Sequence, residues 1–332
     1  MSKTTSRTNP AKRIKVVVTY EPVPGLVDDL RREFPQLDVR FAPSVEDQLV
    51  EIADADVYMG WIPRNVYEKA NALKWIQVPG TGIDVVMGNV PELATNDIIV
   101  TNCKGSHAAS MADHTLGMVV ALAHKFPRIF ADQQARKWDT ASYHNRFVEL
   151  EGSTMGILAL GDIGAAVARR AHGFGMRVLA VDAQPSMKKP PFVEEIWGLD
   201  KLDALIAESD WFVVTAPITP ATLGLINKDR ITKMKHGSYL VVISRGGIID
   251  EAELADALRS GQCAGASLDA TEIEPLSKDS PLWNLDNLIL SPHISAETPG
   301  TFQGRADVIK ENVRRYLDGK PFVYVCDKKA GY

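Results

Sequence analysis

The chain has 332 residues, of which 45% are hydrophobic and 24% charged, and its formal net charge is -5. That length predicts two domains, the composition is that of a soluble globular protein, and the charge offers no basic surface for nucleic acid. No apolar run approaches the ~20 residues that span a bilayer. Cys103, Cys263 and Cys326 are scattered, with neither metal spacing nor a disulfide framework, so no metal and a reducing, cytoplasmic setting are expected. The polar, basic residues 1–13 lack the apolar core of a secretory signal and read as a disordered arm.

In chain order, residues 14–20 predict a strand and 25–34 a helix, then strand 39–42 with helix 45–53, and strand 57–59 with helix 65–73. Strand 74–78 runs into Pro79-Gly80-Thr81-Gly82, and residues 98–101 form a further strand. This alternation implies a parallel sheet with helices on both faces. Residues 108–125 make the most apolar helix in the chain. His114 on it reads as a satisfied core residue.

Residues 155–182 are the most informative stretch. An apolar strand (155–160) meets the turn Gly161-Asp162-Ile163-Gly164, followed by a helix (165–174) and a strand (177–181) ending in Asp182. That order suits a dinucleotide: glycines admit the pyrophosphate to the helix N-terminus, and the acid meets the adenosine ribose. Ala159 replaces the first glycine of the G-x-G-x-x-G pattern, tolerably if its backbone φ is negative. A turn that packs well and binds nothing is the alternative here, with Asp182 as a turn cap. Strands follow at 211–215, 239–243, 264–268 and 287–290, with a helix capped by Asp250 and stopped by Gly261, and a last helix at 301–317.

Three of these strands end in reactive residues: Ser244-Arg245-Gly246-Gly247, Asp269 through Glu274-Pro275, and Ser291-Pro292-His293-Ile294. Ligands gather at the carboxyl edge of open α/β sheets. Arg245 grips a carboxylate through two parallel hydrogen bonds, His293 exchanges a proton near neutral pH, and Glu274 orients the imidazole.

With these segments, Ala216-Pro217-Ile218-Thr219-Pro220-Ala221-Thr222, Pro281-Leu282-Trp283 and Ala112-Asp113-His114-Thr115, the chain resembles the D-isomer-specific 2-hydroxyacid dehydrogenase family over residues 14–325. The resemblance implies two Rossmann-like α/β domains with a cleft between them. Residues 1–109 and 297–332 would form a discontinuous substrate domain, and 110–296 an inserted NAD-binding domain. It implies that Arg245 binds the substrate carboxylate and carbonyl oxygen, and that Glu274 and His293 are the acid/base pair. Gly80, Thr81 and Gly82 would present backbone N–H groups to the carboxylate. Gly161, Asp162, Ile163, Gly164, Asp182, Ala216, Pro217, Thr222, Ile243 and Asp269 would contact the cofactor. NAD is expected over NADP because Asp182 repels a 2′-phosphate.

The expected activity is interconversion of a small 2-keto acid and its D-2-hydroxy acid, without nucleic-acid or membrane partners. The expected assembly is a homodimer using residues 126–150 as an exchanged arm. A formate dehydrogenase and an NAD(H)-sensing corepressor on the same fold are the alternatives. Tyr58, Met59, Trp61 and Ile62 are candidates to line the pocket beside Gly80 or to belong to the core.

Overall fold

The computed structural model describes residues 13–185 and 188–332, so the expected N-terminal arm up to residue 12 lies outside the described residues. The chain divides into two compact units, one comprising residues up to Cys103 with Phe302–Tyr332, the other Lys104–Thr301.

In the first unit, strands β1 (Ile14–Val18), β2 (Leu37–Phe41), β3 (Val57–Met59), β4 (Trp75–Gln77) and β5 (Ile99–Thr101) form a parallel sheet in the order β2-β1-β3-β4-β5. Helices α1 (Leu26–Glu33), α2 (Val45–Glu51), α3 (Arg64–Tyr67) and α4 (Asp84–Asn89) intervene. Both faces of the sheet are covered. Val17, Tyr58, Ile76 and Val100 belong to one buried cluster, and Val16, Val18, Val57, Met59 and Trp75 to another. That is why these strands read as continuous apolar runs rather than alternating ones. α3 stops well short of the predicted 65–73. Lys69 and Ala70 turn back to the carbonyls of Val66 and Tyr67, and the N–H of Asn71 leaves the helix for the Ala53 carbonyl.

The second unit holds β6 (Thr154–Leu158), β7 (Arg177–Val181), β8 (Glu195–Trp197), β9 (Trp211–Val214), β10 (Ser238–Val242), β11 (Cys263–Leu268) and β12 (Leu288–Leu290). Its helices are α5 (Ala108–Ala123), α6 (Phe126–Gln134), α7 (Asp162–Gly173), α8 (Leu202–Glu208), α9 (Lys228–Ile231) and α10 (Glu251–Ser260), whereas α11 (Pro299–Leu317) belongs from Phe302 onward to the first unit. The seven strands are all parallel, ordered β12-β11-β10-β9-β6-β7-β8. The order reverses between β6 and β9, the switch point at which doubly wound sheets bind ligands beyond their carboxyl ends. α10 forms as its caps dictate: the Asp250 carboxylate accepts from the N–H groups of Ala252 and Glu253, and Gly261 ends it at φ 78°. Among the described residues, no helix is long and apolar enough to cross a membrane.

Candidate active site

The glycine turn sits at the carboxyl end of β6, and α7 begins three residues earlier than the sequence pattern placed it, at Asp162. Its N-cap is Gly161, with no side chain capping the first turn. Gly164 is indispensable for packing, because a Cβ there would lie 2.2 Å from the carbonyl oxygen of Ala159. Ala159 itself departs from expectation: its φ is +75°, not negative. Three hydrogen bonds hold it there. Its N–H donates to the Val181 carbonyl at 2.8 Å. The Thr215 hydroxyl donates to the Ala159 carbonyl at 2.6 Å, and the Thr215 N–H to that of Leu158 at 3.1 Å.

Asp182, half-buried at the end of β7, braces the same turn. One carboxylate oxygen accepts from the Leu160 N–H at 2.7 Å and the other from that of Gln184 at 2.8 Å. An uncapped helix N-terminus, a glycine where backbone meets backbone and an acid beyond the next strand together fit a dinucleotide. Beyond β9, Ala216 and Ile243 are buried, and the Thr222 hydroxyl donates to the Pro217 carbonyl at 2.7 Å while accepting from the Thr219 N–H at 2.8 Å. That hydroxyl closes its own loop.

Arg245 follows β10 and is half-buried, and its Nη1 donates to the Ser244 carbonyl at 2.9 Å. Gly246 lies so close to the next loop that a Cβ would meet the Thr271 carbonyl at 2.0 Å. The Ser244 hydroxyl, beside it, is buried with no hydrogen-bond partner among the described residues. Glu274 lies in the loop after β11. Its Oε1 accepts from the Thr271 N–H at 3.0 Å, and its Oε2 sits 2.9 Å from His293 Nδ1. Both side chains remain about 40% exposed, at 38% for His293 and 41% for Glu274, so the pair meets solvent and reagents. With Nδ1 on the carboxylate, Nε2 is the nitrogen left for proton exchange. The Glu274 loop is fastened by Glu251, whose carboxylate accepts from the Glu272 N–H at 2.5 Å. Burial raises the Glu251 carboxyl above its ordinary value.

Asp269, at the end of β11, is only 1% exposed. Its Oδ1 accepts from the Ser291 hydroxyl at 2.6 Å and the Ile294 N–H at 3.1 Å, and its Oδ2 from the Ser295 N–H at 3.1 Å. All three donors come from the loop carrying His293, whose own φ is +55°. Sequence reasoning left His114 in the core. The structure joins it to Ser291, with Nε2 3.1 Å from the hydroxyl oxygen. Ser110, one turn earlier on α5, donates to the Ser295 carbonyl at 2.6 Å. Their spacing of four residues on one helix was the available signal.

In the first unit, Gly80, Thr81 and Gly82 follow β4. The Cys103 N–H donates to the Gly80 carbonyl at 2.9 Å, and Asn102 Nδ2 to that of Thr81 at 2.6 Å. Tyr58, Met59 and Ile62 are core residues. Trp61 instead stays 37% exposed next to Gly80, edge-on to Tyr20 at 5.5 Å. Tyr20 escaped sequence reasoning, and its hydroxyl accepts from Arg305 at 2.9 Å.

The model of the family described as D-isomer specific 2-hydroxyacid dehydrogenase, NAD binding domain, matches residues 116–295. The hydroxypyruvate reductase of Blautia hydrogenotrophica is 34% identical over 284 residues, covering 83% of this chain and 87% of that protein. The chain belongs to the D-isomer-specific 2-hydroxyacid dehydrogenase family. Within it, the D-3-phosphoglycerate dehydrogenase of Methanocaldococcus jannaschii is 33% identical over 92% of this chain, but the chain spans only 58% of that relative's length. A family member from Xanthobacter autotrophicus Py2, solved in complex with NADPH and MES, superposes with a TM-score of 0.80 at 29% identity, covering 96% of this chain and all of the other.

Proposed function

We propose that this family member is an NAD-dependent reductase of a small 2-keto acid, yielding the D-2-hydroxy acid and running in reverse as a dehydrogenase. The reading makes the first unit the substrate domain and the second the NAD-binding domain. The observation that carries it is the Glu274–His293 pair at 2.9 Å, on the same sheet edge as Arg245 and the uncapped start of α7. A proton donor, its orienting carboxylate and a guanidinium for a carboxylate are the protein groups that keto-acid reduction needs.

The first-turn N–H groups of Asp162, Ile163 and Gly164 would hold the pyrophosphate, with Ala216, Pro217, Thr222 and Ile243 around the rest of the dinucleotide. When bound, it supplies the hydride that reduces the carbonyl carbon. Arg245 would grip the substrate carboxylate. His293 would give its Nε2 proton to the carbonyl oxygen, while Glu274 holds the imidazole through Nδ1. Asp182 argues for NAD: it suits ribose hydroxyls and repels the 2′-phosphate of NADPH, the cofactor bound by the Xanthobacter relative. The buried thiols Cys103, Cys263 and Cys326 suit a reducing cytoplasm.

Substrate size follows the relatives matched along most of their length. The hydroxypyruvate reductase is such a one, whereas the longer phosphoglycerate dehydrogenase is matched over 58%. Turnover of a panel of 2-keto acids with NADH and NADPH, read by nicotinamide absorbance, tests the activity. His293→Ala is expected to lower kcat by about 10²–10⁴-fold with the fold intact. A near-parent kcat removes His293 from the chemistry.

We also infer a homodimer that exchanges residues 126–150. That stretch exposes Phe130 (57%), Trp138 (97%) and Phe147 (46%), rings that a monomer gains nothing by presenting to water.

A further inference from the structure

We propose that His114 is a positioning residue for His293, acting through Ser291 and Asp269 from one face of α5. The inference rests on the reading of His293 as the acid/base. The backbone at His293 needs holding: its φ of +55° is a left-handed conformation that L side chains rarely adopt. Half-exposed, its ring has little packing to fix it. What fixes the loop lies behind it. Asp269 accepts from Ile294 and Ser295, the two residues after His293, and from the Ser291 hydroxyl two residues before it.

The protons in this network are determined by counting. Ser291 has one hydroxyl proton and spends it on Asp269 at 2.6 Å. Its oxygen therefore accepts from His114, 3.1 Å away, and Nε2 of His114 must carry the hydrogen. Nε2 also stands 3.8 Å from the same carboxylate oxygen of Asp269. Four residues earlier, Ser110 grips the far end of the loop through the Ser295 carbonyl at 2.6 Å. Both ends of the five-residue span 291–295 are thus tied to α5, with the strained histidine at its centre. Loosening one tie lets His293 relax from its left-handed conformation and lose register with Glu274.

His114→Met fills the space without a donor, and His114→Gln restores an N–H near the Nε2 position. With an active 2-keto acid and NADH, the Met variant is expected to lose about tenfold in kcat, with KM for NADH within about twofold of the parent. The Gln variant is expected to recover most of that loss, which a purely space-filling role would not produce. Ser291→Ala removes the bridge from the loop side and stands as the second variant should His114→Met fold poorly. It should lose a similar factor, and the His114→Met/Ser291→Ala double variant should be no worse than either single, because both cut one path. Parent-like kcat in the Met variant, a Gln variant no better than Met, or losses that multiply in the double variant would each overturn the proposal. No turnover of any 2-keto acid by the parent, or parent-like kcat in His293→Ala, would instead overturn the acid/base reading itself and this inference with it.

Discussion

Ala159 occupies a position where the G-x-G-x-x-G pattern has glycine, and its backbone shows why. At φ +75° an alanine costs about 1–2 kcal/mol relative to ordinary backbone, while glycine costs about 0.5–1 kcal/mol more chain entropy on folding. The first term wins, so Ala159→Gly is expected to stabilise the second unit by roughly 0.5–1 kcal/mol, read as a higher urea midpoint. A lower midpoint would mean that the Val181 and Thr215 hydrogen bonds already absorb the strain. The sequence identified this residue as the odd one in its motif but not the sign of φ, which is imposed by partners on β7 and after β9. Arg245 and His293 drew notice in the sequence because each stands three residues after an apolar strand, and Glu274 because it lies six residues after one. His114 did not, because its partner Ser291 lies far along the chain and an apolar helix is ordinary surroundings for a core histidine.

Elements were legible where the local pattern and the tertiary contacts agree. Asp250 and Gly261 bound α10 as the sequence indicated. The three-residue edge strand β8 went unseen, since so short a segment has no period to display. α6 is a helix within a stretch that the sequence marked only as an arm. Most hidden was the polar joint between β4 and α11. Gln77 lies fully buried in an otherwise apolar strand, and its Oε1 accepts from Thr101 at 2.8 Å and from Asn312 at 2.9 Å. Asn312 also exchanges both amide hydrogen bonds with the Val323 backbone, at 3.1 Å and 2.9 Å. Asn312→Ala would strand the Val323 N–H and carbonyl and remove one of the two donors to Gln77 Oε1, leaving Thr101 as the other. An unsatisfied buried group costs about 1–3 kcal/mol, so a loss of roughly 2–4 kcal/mol is expected in denaturant unfolding of the full chain. A loss below about 1 kcal/mol would show that water replaces the amide.

Across the whole molecule, the βα alternation announced two parallel sheets, but strand order was beyond it. Order is decided by crossovers, and the same alternation serves the five-stranded order β2-β1-β3-β4-β5 and the seven-stranded order with its reversal between β6 and β9. That reversal brings Gly161 and Arg245 to one sheet edge although 84 positions separate them in the numbering. Assembly is a property at this scale too. Trp138 is 97% exposed, and a groove of about 540 Å³ beside it is lined by Ile129, Arg136 and Tyr143. An indole left in water loses the burial that aromatic anchors contribute at interfaces, where truncating one costs about 2–4 kcal/mol, or roughly 30- to 1000-fold in Kd. Trp138→Asp is therefore expected to shift a dimer to monomers at micromolar concentration, with circular dichroism unchanged, and light scattering reads the mass directly. A parent that is already monomeric there, or a variant that stays dimeric, would remove residues 126–150 from the interface.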